Sequence, residues 1–495
     1  MSKIKERRLY DLIILGNGAA AFAAAIKADE LGKSALMIQG GTIGGTCVNV
    51  GCVPSKRMLV AGEVIRNTFE HDLGRGAIAR HNEKFDFSKI LRSKDQIVRA
   101  FRKEKYEKVL RGLSNVDVIR GFAEFVSRNE VKVRPLDSGS GSRNKGDKVF
   151  RGKNFLVATG SSPTVPHFPG VERVRYWTNV EALNPPRKPE SLIVIGGRAL
   201  GLEFAQMYAR FGTNVTLLQR SKTIIPDEEP EIAEALTKYL RQDGVRIVTG
   251  VTIKGIREED RGGKATRKIT VEADARGKYA KFEAVALLLA TGRSPNSLGL
   301  GLEKIGIKTQ KNSTNAGAII VNDEMRTNVP NIFAAGDVTG EPMLEGLAAR
   351  EGTIAAENAL TDGHGKIDID SVPRAIFTDP QFATVGLTDA EAVRKGYECN
   401  CKILSFDQIS KARIIGDTRG VIKMVADERT HRILGIHILS RNAAELIHEA
   451  SLIVKNKYTV EDVVNTIHVF PTLSESIKIV AQSYFRDVGA TSCCI

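Results

Sequence analysis

The chain has 495 residues, 42% of them hydrophobic and 26% charged, with a formal net charge of +14. That length exceeds one ordinary core and implies two to four domains of a soluble globular protein. Its six cysteines are too few for a secreted disulfide scaffold, and their pairing suits a reducing compartment with reserved reactive thiols.

At the N-terminus Lys3, Lys5, Arg7 and Arg8 precede an apolar run, but Asp11 interrupts it and Gly16 and Gly18 belong to a turn. No signal peptide is expected there. Elsewhere no apolar stretch reaches the roughly 18 uncharged residues of a membrane span, so a cytoplasmic protein without a membrane partner is expected. The excess positive charge reads as a solvated basic surface. In its densest run, Lys84 to Arg111, residues Phe87, Ile90, Leu91, Val98 and Phe101 recur at helical spacing. RNA-binding and helix-turn-helix signatures are missing, so no nucleic-acid partner is expected.

In chain order, Tyr10–Leu15 predicts a buried strand, Ala19–Leu31 an alanine-packed helix and Ser34–Gln39 a second strand: one βαβ unit. The segment 41–56 follows, carrying Cys47 and Cys52 and continuing as a helix towards Asn67. Residues 86–112 predict one long helix. Residues 116–157 predict strands, broken by a flexible loop from Asp137 to Asp147. A second βαβ unit runs through Leu192–Ile195, Leu202–Phe211 and Asn214–Leu218, its entry marked by Pro185, Pro186 and Pro189. The chain returns at Ala284–Thr291 and Ile332–Asp337, with a helix near 345–360. Beyond 366, strands (Arg374–Phe377, Cys401–Phe406, Gly420–Ala426, Ile433–Leu439) alternate with helices (Ala443–Lys455, Thr472–Tyr484), an α+β pattern.

Each βαβ unit carries a glycine turn. In Gly16-Asn-Gly18-Ala-Ala-Ala21 the first glycine permits the turn and Gly18 lets a pyrophosphate approach the helix N-terminus. Ala21 lets helix and strand pack closely. The second strand ends in Gln39, where a carboxylate usually meets the ribose; its amide can still hydrogen-bond a hydroxyl. The second turn, Gly196-Gly-Arg-Ala-Leu-Gly201, has Arg198 at its middle glycine position. The strand after it ends in Gln219-Arg220-Ser221-Lys222. With no carboxylate to select a 2′-hydroxyl, Arg220, Ser221 and Lys222 suit the 2′-phosphate of NADPH.

Together with Gly44-Gly-Thr-Cys47-Val-Asn-Val-Gly-Cys52-Val-Pro-Ser-Lys56, the chain has Ala158-Thr159-Gly160, Ala290-Thr-Gly292-Arg293-Ser-Pro-Asn296 and Ala334-Ala-Gly-Asp337. In this order and spacing it resembles the FAD-dependent pyridine nucleotide–disulfide oxidoreductases from about residue 9 to 485. The resemblance implies an α/β fold: two Rossmann-like dinucleotide-binding domains, for FAD and NADPH, plus a C-terminal α+β dimerisation domain. The expected boundaries are 1–165 and 290–365 for FAD, 166–289 for NADPH and 366–495 for dimerisation with a Cys-Cys tail. It further implies a homodimer with an active site shared between subunits. FAD is expected at Gly16, Gly18, Ala21, Gln39, Thr46, Lys56, Thr159, Gly160 and Asp337. NADPH is expected at Gly196, Gly201, Arg220, Lys222, Gly292 and Arg293.

Cys47 and Cys52 stand five residues apart on a turn entering a helix, whose N-terminus favours thiolate. The resemblance makes Cys52 the flavin-proximal sulfur, Cys47 the exchanging one, and Lys56 a flavin neighbour paired with Glu203. Disulfide reductases of the family place a His-Pro base near the C-terminus. Here Phe470 precedes Pro471, His468 lies two positions earlier, and Glu475 remains. A soft metal ion bound by two thiolates needs no such base. The cysteine segment, Tyr106 in Lys105-Tyr-Glu107 and the Ser-Cys493-Cys494 tail are similar to the mercuric reductase branch of the family. That branch implies reduction of Hg(II) to Hg(0), with Hg(II)-thiol complexes as partners. Cys493 and Cys494 would hand the ion to Cys47 and Cys52 of the other subunit. Two features depart from it: Thr472 follows the Phe-Pro pair where a second tyrosine is usual, and no metal-capturing domain is expected ahead of residue 9. The competing expectations are a disulfide reductase, of the large thioredoxin reductase or dihydrolipoamide dehydrogenase type, and a metal-sequestering flavoprotein. Cys399 and Cys401 form a C-x-C whose side chains face one way on a strand, a pattern that suits a structural role first and a metal-binding role second.

Overall fold

The structure is a computed structural model, and it describes residues 8–70, 85–136, 146–260, 267–311 and 315–490. The Cys493-Cys494 tail and residues 137–145 of the expected loop lie outside the described residues. Two compact units are present. One comprises Met1–Pro54, Arg92–Thr164 and Gly292–Asp368; the other comprises Ser55–Leu91, Val165–Thr291 and Ile369–Ile495.

In the first unit the strand Leu9–Leu15 lies between parallel strands Ala35–Gln39 and Lys148–Val157. Val116–Ser127 extends the sheet beyond Ala35–Gln39, and Ile332–Ala334 extends it beyond Lys148–Val157, both in parallel. The antiparallel strand Glu130–Pro135 joins Val116–Ser127 to Lys148–Val157. Leu12 to Leu15 and Ala35 to Ile38 are almost fully buried, as continuous apolar runs covered on both faces must be. The helix Ala19–Glu30 buries Ala20, Ala21, Ala24, Ala25 and Ala28. Small residues let the helix Glu345–Leu360 approach: a Cβ on Gly352 would sit 2.1 Å from the Ala20 carbonyl oxygen.

Two expected helices are interrupted. The cysteine segment forms the helices Gly45–Val50 and Cys52–Glu70, broken at Gly51. Pro54 explains the restart, because a proline without an N–H is tolerated in a first turn but not in an interior. Residues 87–112 form Phe87–Phe101, a π-helical turn Arg102–Glu107 and Lys108–Gly112.

In the second unit a parallel sheet runs in the order Ala286–Leu289, Ser191–Ile195, Asn214–Gln219, Arg246–Thr249. The sequence pattern did not disclose two neighbours of this sheet. One is the helix Pro230–Gln242; the other is an antiparallel sheet of Val251–Asp260, Arg267–Ala275 and Lys278–Ala284. The C-terminal part is a five-stranded antiparallel sheet in the order Arg374–Ile376, Gln381–Gly386, Ile433–Ser440, Val421–Asp427, Cys399–Ser405. The central strand Ile433–Ser440 is buried along its whole length. The helix Ala443–Lys455 and the helix Glu475–Gln482 pack on this sheet in one continuous core.

Candidate active site

In the first unit the carboxyl ends of the parallel strands open onto a cavity of about 820 Å³, where an open α/β sheet binds its ligand. Gly16, Gly18, Thr159, Gly160 and Asp337 line it, together with Thr46 and Cys47. Gly16 has φ +148°, and a Cβ there would lie 2.1 Å from the Ala158 carbonyl oxygen. No side chain caps the N-terminus of the helix Ala19–Glu30, which leaves its first-turn amides directed at an anion. These features fit a dinucleotide pyrophosphate. Ala21 is fully buried beneath the turn. Gln39 is not among the cavity residues. It is 5% exposed, its Nε2 lies 3.4 Å from the Met37 sulfur, and its neighbours Ile38 and Gly40 line the cavity.

Gly292 and Arg293, expected on the NADPH side, stand in the first unit. Arg293 donates from Nε to Ser161 Oγ at 2.7 Å and from Nη2 to the Ser161 carbonyl at 2.7 Å and Thr46 Oγ1 at 3.4 Å. Its Nε is 3.9 Å from Asp337 Oδ2, and Ser161 Oγ donates to the same oxygen at 2.5 Å. The strand Arg293–Pro295 pairs with Ser161–Pro163 and brings Arg293 onto Ser161 and Thr46, two residues that line the cavity.

Cys47 and Cys52 are both unbridged; Cys47 is half-buried and Cys52 is exposed at the first residue of its helix. A hydrogen bond to Cys52 and burial hold the Cys47 thiol strongly protonated, and Glu345 adds to the effect. Tyr106 sits on the π-helical turn, its ring edge-on to Phe22 with centroids 4.8 Å apart. Burial and the negative charge of Glu345, Cys47 and Cys52 push its hydroxyl up to about 12. Tyr106 thus stands beside the cysteine pair as a neutral phenol. Glu345 was missed by sequence reasoning. It begins the helix Glu345–Leu360, lines the cavity and hydrogen-bonds Cys47. No local motif announces it, since its partner lies on a distant segment.

In the second unit Lys56 Nζ lies 2.8 Å and 3.0 Å from the two carboxylate oxygens of Glu203 and 4.5 Å from the centre of the Phe377 ring. Glu203 is 5% exposed and also accepts from the Phe377 amide at 2.9 Å. Gly196 repeats the geometry of Gly16: φ is +119°, and a Cβ would lie 2.1 Å from the Ala290 carbonyl oxygen. Gly201 packs on the Gly196 carbonyl, where a Cβ would come within 1.9 Å. Arg198 pairs with Asp227 outside the turn, while Arg220 and Lys222 are exposed at the end of the strand Asn214–Gln219. His468 is committed elsewhere: its Nε2 is 2.7 Å from Glu449 Oε1, a contact that raises its pKa. Glu475 accepts from the Thr472 amide at 3.1 Å.

Residues 10–352 match the pyridine nucleotide-disulphide oxidoreductase family model, and residues 372–481 match the dimerisation domain of the same family. The chain belongs to the pyridine nucleotide-disulphide oxidoreductases. A mercuric reductase from Staphylococcus aureus is 38% identical over 485 residues, 98% of this chain and 84% of that protein. One from Streptomyces lividans is 36% identical over 485 residues, 98% of each chain. Among solved structures, the HOCl-induced flavoprotein disulfide reductase RclA from Escherichia coli matches with TM-score 0.80 at 27% identity. That match covers 96% of this chain and 100% of that one. As a member of this family the protein is an oxidoreductase with FAD and NADPH as cofactors. Its dimerisation domain points to a homodimer. Among the described residues of this oxidoreductase no helix is long and apolar enough to cross a membrane.

Proposed function

We propose that the chain reduces Hg(II) to Hg(0) at Cys47 and Cys52, oxidising NADPH to NADP⁺ and a proton. The observation that carries this reading is a pair of unbridged thiols near Tyr106, of which Cys47 lines the nucleotide cavity. It is supported by mercuric reductases 34–39% identical over nearly the full chain. FAD, held by Gly16, Gly18, Thr46, Thr159, Gly160 and Asp337, would supply the two-electron link between NADPH and the ion. Cys47 and Cys52 replace the small thiols on Hg(II) one at a time, each releasing its proton as sulfur binds the metal. Tyr106 confines the ion at the pair. Lys56, fixed by Glu203, keeps a positive charge one helical turn beyond Cys52. Cys493 and Cys494 collect the ion and pass it to Cys47 and Cys52 of the other subunit in the homodimer. Phe470 rather than histidine precedes Pro471, so the His-Pro acid is not at its usual place, which favours a metal over a disulfide, whose leaving thiol needs an acid. Dependence on NADPH and reduced thiols places the reaction in the cytoplasm.

NADPH oxidation with Hg(II) in excess thiol tests the reading, set against oxidised glutathione, lipoamide and thioredoxin. Turnover with Hg(II) should dominate; faster reduction of any disulfide overturns it. The C493A/C494A double variant should lose most activity with bulky Hg(II)-thiol complexes and keep it with small ones. Parent rates with every complex would remove the tail from the route.

Arg220 and Lys222 are proposed to hold the NADPH 2′-phosphate. A charge-assisted hydrogen bond contributes about 1.5–3 kcal/mol, roughly 10- to 150-fold. Replacing both with glutamine should raise the KM for NADPH by that order and leave NADH nearly unchanged. Equal losses for the two nucleotides would sink the assignment.

A further inference from the structure

The strand Cys399–Ser405 is the edge of the C-terminal sheet, paired on one side with Val421–Asp427. Alternation along it is clear. Leu404 enters the main core of the sheet, whereas Cys399 and Cys401 face the other way, against Ala392, Val425 and Leu434. Both thiols are unbridged and half-buried. Asp389, the first residue of the helix Asp389–Arg394, lies within electrostatic reach of both of them, and Cys399 Sγ is 4.0 Å from the Tyr397 carbonyl oxygen. Lys423, on the neighbouring strand, lies within electrostatic reach of Cys401 and is itself tied to Glu229 at 2.7 Å.

Residues two apart on a strand have Cβ atoms about 6.6 Å apart. A disulfide requires Cβ atoms about 3.5–4.5 Å apart, so a regular strand keeps this pair from closing on itself. The same spacing suits an ion that inserts between two sulfurs, each leaning inward through a χ1 rotamer. Among the described residues no group of three or more His, Cys, Asp or Glu is arranged to hold a metal ion. The pair therefore suits only a cation satisfied by two sulfurs, with Asp389 as a neighbouring charge rather than a third ligand. Soft ions of that kind prefer thiolates over oxygen and imidazole ligands.

We propose that Cys399 and Cys401 form a second, non-redox binding site for a soft two-coordinate cation such as Hg(II). The site stands apart from the reaction proposed above and needs neither cofactor. Binding exchanges the two carrier thiolates on the ion for the sulfurs of Cys399 and Cys401, and the two thiol protons pass to the leaving carrier thiolates, with no change of oxidation state.

The test uses full-length, FAD-loaded protein in which Cys47, Cys52, Cys493 and Cys494 are all alanine. Titrated with Hg(II) carried by two equivalents of glutathione, it should retain one Hg(II) per chain on ultrafiltration and show thiolate-to-metal absorbance. Adding Cys399→Ser or Cys401→Ser singly should weaken retention by roughly 100- to 10,000-fold, the gain expected from tethering two weak sites. No retention by the four-alanine protein overturns the proposal, as does full retention after either serine change. Should the four-alanine protein fail to fold, the parent and its C399S/C401S variant are compared instead. The variant should bind one Hg(II) fewer per chain at an unchanged rate of NADPH oxidation; equal stoichiometry overturns the proposal. Loss of mercury reduction in the parent would leave this stoichiometry untouched, so the two readings fail separately.

Discussion

A Cys52→Ser variant is expected to lose turnover with every Hg(II) complex by on the order of 1000-fold, because the residues of a catalytic unit fail together. Cys52 begins the helix Cys52–Glu70, where the helix dipole favours a negative sulfur. The hydrogen bond to Cys52 raises the pKa of the Cys47 thiol, and the family resemblance makes Cys52 the flavin-proximal sulfur. Serine keeps the shape but offers a hard oxygen of high pKa, useless to a soft ion. The variant should still bind FAD and NADPH, since the glycine turns are untouched. On two-electron reduction it should lack the long-wavelength absorbance of a thiolate against the flavin, whereas Cys47→Ser should keep it. The reverse pattern would exchange the roles of the two sulfurs.

An Asp379→Ala variant is expected to lose about 3–5 kcal/mol of stability, the usual cost of removing one partner from a buried ion pair. Asp379 Oδ2 receives Arg210 Nη2 at 2.7 Å, and Oδ1 receives Arg419 Nη2 at 2.9 Å. The Arg210 side chain is 5% exposed and shares Asp243 at 2.7 Å; Arg66 Nη1 lies 3.5 Å from Asp379. Without Asp379, three guanidiniums are left with two acids, Asp243 for Arg66 and Arg210 and Asp417 for Arg419, with little water. Burial opposes the charge on Asp379, but Arg419 and Arg210 outweigh it and hold the carboxyl below its ordinary value. A depressed folded-state pKa stabilises the fold above the unfolded value, near 3.9. That contribution is lost as pH falls through the folded value. Urea unfolding at neutral pH should show the full loss, and the gap between parent and variant should narrow in acid. A difference below about 1 kcal/mol at pH 7, typical of a surface pair, would place this network outside the stabilising core.

Local features of the sequence determined the two βαβ units, their glycine turns and the cysteine pair. Each depends on a period or a spacing within a few residues, and chirality and sterics act at that range. The Lys56–Glu203 pair was reached through the family resemblance, and the structure joins the two residues at 2.8 Å. Other features were not local. Glu345 meets Cys47 only because the helix Glu345–Leu360 starts at the cavity. Arg293 reaches Ser161 and Thr46 because two short strands pair across distant segments. The long helix expected over 86–112 carries Tyr106 on a π-helical turn, a geometry that π-bulges often bring to functional sites. The interior helix Pro230–Gln242 and the sheet of Val251–Ala284 escaped notice although the helix has proline at its first position, because a signal of that size is decided by what packs against it. The facing direction of Cys399 and Cys401 was legible from strand alternation alone, whereas Asp389 and Lys423 beside them were supplied by tertiary packing. Short-range sterics write turns and periods into the chain, and long-range burial decides which charges and sulfurs share a site.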